Sequence, residues 1–519
     1  METRRRFILL TALTLLTLQA CEQKQSAAPA FDVTDATITQ LQEALKDGRV
    51  TSRALVDQYL ARIEKHDPAL KSIISLNPKA REEADRLDRE RAEGKVRGPL
   101  HGIPIAIKDN IDFAGGLATT AGSLALTKNV PAKDAPVVRK LIDSGAIILA
   151  KANLSEWANI RSSHSSSGWS AVGGLARNPY DPTRSACGSS SGSGTAVAAG
   201  FAPAAVGTET DGSVTCPSAI NALAGLKPTV GLVSRTGIVP ISHVQDTAGP
   251  MARTVADVAA LLGGMAGSDP ADAATKEADA HRADYSQSLK ADALKDARIG
   301  VLRFHTGYSP PTDEVFETAL EALRKQGAEL VDIPKFDFGN LEDLEHLCLL
   351  AELKANLNAY LAGTPPEVKS RTLADVIAFN RAEPRELEFF GQDLFERAEA
   401  TAGLADPEYV KARASATQMA GPNGIGRLLR ENNVVALVAP TTGPAWTIDL
   451  VNGDHYSGSS TTLPAVAGYP HLTVPMGEVS GLPVGLSFIG PAWSEPLLIS
   501  LGYAYEQATH ARKPPPAPR

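Results

Sequence analysis

The chain has 519 residues, 43% hydrophobic and 21% charged, which is the balance of a globular protein able to bury a large core. A net charge of −8 and a pI of about 5.8 exclude a surface built to bind nucleic-acid phosphates. Only 4 cysteines in so long a chain exclude a disulfide-scaffolded fold.

At the N-terminus, Arg4, Arg5 and Arg6 precede an apolar run over residues 7–18 that is too short for a comfortable membrane span. A basic start, a short apolar stretch and then small residues form the pattern of an export signal. Leu18-Gln19-Ala20-Cys21 resembles a bacterial lipobox, which implies a lipid on Cys21, and residues 3–7 resemble a twin-arginine motif. Residues 1–20 are therefore expected to be a leader, 21–30 a polar tether and 31–515 the folded domain, held in the bacterial cell envelope or periplasm.

Residues 37–93 carry a helical pattern. Thr37 with Gln40 suits a capping box, and Ile38, Leu41 and Leu45 share one face. A second helix is expected over 52–66 and a third over 78–93, with Pro78 at its first position. Ile103, Ile105 and Ile107 then alternate as in a strand that ends at Lys108, the end at which α/β enzymes keep their chemistry. Taken alone, Lys108 also reads as a surface lysine paired with Asp109 or Asp112. A helix over 135–144 and a strand over 146–150 repeat the theme, and residues 162–168 read as a loop.

Beyond residue 250 the pattern gives a helix over 254–263 and a polar surface excursion over 267–293. Strands are expected over 297–304, 328–333, 434–438, 469–474 and 482–489, with a helix over 312–326. Residues 340–420 are mostly helical. Residues 270–420, with loops 446–456 and 457–462, are expected to shape the substrate pocket. Alternating helices and strands point to an α/β fold, a single large domain with a mixed, twisted sheet core covered by helices.

The stretch that stands apart is residues 187–229, with 7 glycines in 43 positions among serines and small apolar residues. Glycine lets a backbone approach a substrate closely or take positive φ, so this many in a folded core suggests a backbone shaped for a task. A flexible linker fits poorly, because residues 195–205 are mostly Ala, Val or Phe. Residues 188–192 formally match the G-x-S-x-G elbow with Ser190 as nucleophile, and His243, His455 and His471 are available as bases. That motif needs a preceding buried strand, and residues 178–186 are polar with two prolines. Phosphate-loop spacing and metal-ligand spacing are both missing. Cys187 and Cys216 leave a bridge open in an oxidising compartment, although buried free thiols are the favoured reading for these and Cys348.

The runs GSSSGSGTAVAAG, GTETDGS and AGLKPT, with HGIPIAIKDN upstream, are similar to those of the amidase signature family, over residues 37–504. CPSAINALAGLKPTVGLVSRTGIVPIS and QDTAGPMART look most like its peptide-amidase branch, which releases ammonia from C-terminal peptide amides. The resemblance implies a Ser–cis-Ser–Lys triad: Lys108 as base, Ser189 on a cis peptide bond as bridge and Ser213 as nucleophile. It also implies an oxyanion hole of backbone N–H groups at Thr210, Asp211 and Gly212, with Gly188 and Ser190 in support. Asp211 stands where many members have glycine, which leaves its side chain a further role. Lys108 must be neutral to act, and bringing an ordinary lysine near neutrality takes about 4 kcal/mol, a sum that burial supplies. No cofactor, metal or nucleic-acid partner is expected. The substrate would be a small or short-peptide amide, the enzyme a monomer, and any membrane contact would pass through Cys21. Another amide or ester hydrolase of the family, or an inactive binding scaffold, are the alternatives.

Overall fold

The computed structural model describes residues 31–516; the leader, the lipobox and the tether lie outside these described residues. Within them the chain forms β1 (Ile73–Leu76), β2 (Pro104–Lys108), β3 (Ile147–Ala152), β4 (Trp169–Ser170), β5 (Gly174–Leu175) and β6 (Ala204–Glu209). There follow β7 (Ala224–Lys227), β8 (Thr247–Ala252), β9 (Arg298–Leu302), β10 (Glu329–Ile333), β11 (Ala436–Pro440), β12 (His471–Val479) and β13 (Leu482–Ile489). All but the small β4–β5 hairpin join one eleven-stranded sheet, in the order β1-β3-β2-β6-β8-β7-β12-β13-β11-β9-β10. Parallel pairs β3–β2–β6 and β11–β9–β10 flank an antiparallel centre from β6 to β11. This is the single α/β domain with a mixed sheet that the alternating pattern implies.

The central strands read differently from the edges because both of their faces are covered. β2, β3, β6, β7 and β8 are buried at every position, so small apolar residues such as Pro104 and Ala106, alternating with the isoleucines of β2, stand where a half-exposed strand would carry polar ones. The main core gathers Ile105, Ile107, Ile148, Val206, Leu226 and Val474 from the sheet with Val258, Leu262 and Leu501 from helices Val255–Met265 and Glu495–Thr509. A second cluster, including Leu353, Leu357, Val376 and Phe395, packs Trp157 beneath helices Leu341–Ala362, Leu373–Ala382 and Asp393–Glu399. Thr37 and Gln40 form the expected capping box of helix Ile38–Lys46.

Three expectations change. Residues 37–93 are not helical throughout, because β1 pairs antiparallel with β3. The third helix is Ala80–Ala92, so Pro78 precedes it; the Asn77 side chain accepts from Lys79 N at 2.9 Å and turns the chain there. Strands β6, β7 and β8 and helix Glu495–Thr509 also form where none was expected.

Candidate active site

Lys108 ends β2 in the interior of the sheet and is fully buried. Its Nζ donates to Ser189 Oγ at 2.7 Å, Thr208 Oγ1 at 2.8 Å and Thr208 O at 3.3 Å. Burial is the largest influence on this amine and lowers its pKa from 10.5 to about 7, while the Asp246 and Glu209 carboxylates pull it upward. The alternative of a lysine paired with Asp109 or Asp112 does not hold. Asp109 faces Lys151 at 3.2 Å, and Asp112 accepts from the Tyr360 hydroxyl at 2.8 Å.

Ser189 follows a cis peptide bond from Gly188, as the resemblance implies. Gly188 is closely packed: a Cβ there would lie 2.1 Å from Ser155 Oγ, so that hydroxyl would have to move. Ser155 N donates to Ser189 O at 3.0 Å, and Ser190 N donates to Ser213 O at 3.1 Å; the second of these bonds ties the Ser189 and Ser213 segments together. The Ser190 hydroxyl accepts from Thr208 N and donates to Thr208 O, both at 3.1 Å, and is thereby committed to the end of β6. The elbow reading fails on this geometry. The candidate bases are also engaged elsewhere: His471 with Ser487 at 2.6 Å, His455 with Asp449 at 3.0 Å and His243 with Asn356 at 3.2 Å.

Ser213 stands on the turn between β6 and helix Thr215–Ala219. The Glu209 carboxylate at the end of β6 accepts from Val214 N at 2.7 Å and Thr215 N at 2.9 Å, which fixes the start of that helix around the serine. Gly212 has φ +75°, a conformation that favours glycine, and lies against Thr461. Among the described residues the N–H groups of Asp211, Gly212 and Ser213 reach no protein acceptor. Thr210 is anchored through its hydroxyl, which donates to Asp246 at 2.6 Å. The Asp211 side chain accepts from Thr462 Oγ1 at 2.8 Å, and burial, the largest influence, pushes its carboxyl up to about 6.

A cavity of about 360 Å³ opens onto this turn, lined by Gly188, Thr210, Asp211, Gly212 and Ser213. Trp446, Tyr456, Leu349, Ile160 and Ile241 supply its apolar wall, and no lysine, arginine or histidine lines it. Lys108 and Ser189 lie behind that lining. The predicted site residues therefore converge from three separate segments. The expected pocket loops contribute Trp446, Asp454, Tyr456, Ser459, Thr461 and Thr462, whereas residues 270–420 contribute Leu349 alone to the lining.

The favoured reading of free thiols is corrected for two cysteines. Cys187 and Cys216 form a disulfide, while Cys348 is buried and free. Residue spacing could not reveal that the fold brings their Cα atoms to 6.1 Å. Thr208, Glu209, Asp246 and Asn110, which donates to Thr208 Oγ1 at 2.9 Å, were also not singled out as site residues. The first two stand in GTETDGS and Asp246 in QDTAGPMART, so the signal was present as motif and not as chemistry.

The amidase family model matches residues 54–499. A probable amidase from Arabidopsis thaliana is 42% identical over 499 residues, 93% of this chain and 92% of its own. The solved native peptide amidase from Stenotrophomonas maltophilia superposes with a TM-score of 0.88 at 50% identity, covering 93% of this chain and 99% of its own. A structure of the peptide amidase PAM with the competitive inhibitor chymostatin gives 0.91 at 51%, covering 94% and 100%. With a family match over most of its length and relatives this similar across nearly the whole fold, the chain belongs to the amidase signature family and is an amidase.

Proposed function

We propose that this amidase hydrolyses the C-terminal carboxamide of short peptides to a carboxylate and ammonia, through an acyl-enzyme on Ser213. The observation that carries the reading is the 2.7 Å contact between Lys108 Nζ and Ser189 Oγ, in surroundings that bring the lysine to about 7. The peptide preference is supported by the likeness to solved peptide amidases, one of them holding a competitive inhibitor.

In this mechanism neutral Lys108 takes the hydroxyl proton of Ser189 as Ser189 takes that of Ser213. Ser213 Oγ attacks the amide carbonyl, and the N–H groups of the 210–213 turn receive the oxyanion. Their unclaimed donors suit that role, because no reorganisation is needed as charge develops. The proton returns through Ser189 to the amide nitrogen, ammonia leaves, and water enters by the same relay to release the acid. A hydroxyl bridge serves amides well, since it can protonate a poor leaving group while the nucleophile loses its proton.

Ammonia release from an N-acetylated dipeptide amide tests the reading. Lys108→Ala, Ser189→Ala and Ser213→Ala should each lose at least about 10³-fold in kcat/KM, with His243→Ala unchanged. Turnover of esters alone, or loss in the histidine variant, would sink it. We further propose that the enzyme is exported and anchored by a lipid on Cys21; a Cys21→Ser chain that still partitions with membranes would refute the anchor.

A further inference from the structure

The Cys187–Cys216 disulfide does not sit at the periphery. Cys187 immediately precedes the Gly188–Ser189 peptide bond, and Cys216 lies in the first turn of helix Thr215–Ala219, three residues after Ser213. The cross-link therefore ties the segment that carries the bridging serine to the segment that carries the nucleophile, across 29 residues of sequence. Both half-cystines line the substrate cavity, with exposures of only 5% and 2%.

The backbone at Cys187 needs holding. Its φ of 55° lies in the left-handed region, which a residue with a Cβ avoids. Its N–H donates to Ser185 Oγ at 3.1 Å, and its carbonyl accepts from Ser191 Oγ at 2.5 Å. On the other side, Cys216 N donates to Gly212 O at 2.8 Å, so a pull on Cys216 bears directly on the oxyanion turn. Around the sulfurs, Ile220, Ala445 and Trp446 pack as an apolar jacket, of which Trp446 also walls the cavity. A relay that passes a proton between two hydroxyls depends on their separation to a fraction of an ångström.

We propose that the Cys187–Cys216 bond is a positioning cross-link that sets Ser189 against Ser213, and that its reduction by a small dithiol entering through the substrate cavity reversibly slows the amidase. The step balances. A thiolate of the dithiol attacks one sulfur, the protein S–S bond breaks, and both cysteines end as thiols. The reductant supplies two electrons and two protons and ends as its own disulfide. The inference rests on the roles proposed above for Ser189 and Ser213.

The test uses the purified enzyme with and without dithiothreitol, ammonia release from an N-acetylated dipeptide amide as readout, and thiol titration to show two new thiols. Folding is followed by circular dichroism in both forms. The reduced enzyme should lose about 10-fold or more in kcat with KM within about 2-fold, because alignment is disturbed and the cavity is not. Reoxidation should restore the rate. The paired variant Cys187→Ala/Cys216→Val, which keeps the jacket apolar, should show the same split and ignore dithiothreitol. Full kcat in the reduced enzyme, or wild-type kcat in the paired variant, would overturn the proposal. Ser213→Ala, run alongside, separates the two readings. If it turns over, the nucleophile assignment fails; if it is dead while reduced enzyme keeps full rate, only the cross-link inference fails.

Discussion

Lys108 and Lys151 are both fully buried, at or near the ends of neighbouring strands, yet they stand in opposite electrostatic settings. Lys151 has the Asp109 carboxylate at 3.2 Å, whereas the partners of Lys108 Nζ are two hydroxyls and a carbonyl. An amine with no contacting anion can be neutral at small cost, and here that lowers it to about 7. Because the neutral form is the base, kcat/KM should rise through about pH 7 and level off above it. Asp246 is the larger of the two anionic influences on Lys108, and its charge favours the ammonium. Asp246→Asn should therefore move the rising limb to lower pH and lower the plateau, since the lysine becomes a weaker base. A limb that stays in place in this variant would remove Asp246 from the account. The same displacement bears on stability. Between about 7 and 10.5 the unfolded chain binds a proton at this lysine that the folded chain does not, so this group's contribution to stability rises with pH across that window.

At the scale of single elements, Glu209 shows how a strand end prepares a nucleophile. It closes β6 and reaches around the turn to Val214 N and Thr215 N, so the helix starts where Ser213 needs it. Glu209→Gln should lower stability by about 1–2 kcal/mol in urea unfolding, and kcat by about 10-fold through loss of placement. Placement of this kind was not legible beforehand. β2 could be read because Ile103, Ile105 and Ile107 alternate, and its end named Lys108. β6, β7 and β8 could not, because Ala, Gly and Thr fill strands buried on both faces and leave no period to detect. Lys108, Ser189 and Ser213 were legible as positions in motifs, while Thr208, Glu209 and Asp246 needed the register of β6 against β8 to acquire a purpose. Pro78 misled for the opposite reason: a good helix-start residue stood two positions early, beside an asparagine that turns the chain first.

Across the whole molecule, three distant segments meet at one site, and few covalent constraints help them. Closing a loop over a separation of 29 residues removes entropy from the unfolded chain worth roughly 3–4 kcal/mol. The paired variant Cys187→Ala/Cys216→Val should accordingly melt about 3 °C lower, a modest shift because so long a chain has a large unfolding entropy. A melting point unchanged within error would show that the unfolded chain gains nothing from being cut loose. Lys108, by contrast, is placed by the sheet itself and owes nothing to that loop.

The cavity wall holds Asp211 and Asp454 but no cationic side chain. The amide that enters is neutral, whereas the acid that leaves is an anion, and no counter-charge waits for it there. Departure is thus favoured by the same wall that admitted the substrate, and the product is held too weakly to occupy the site against fresh amide. Progress curves should stay straight deep into the reaction, and millimolar free acid should inhibit weakly.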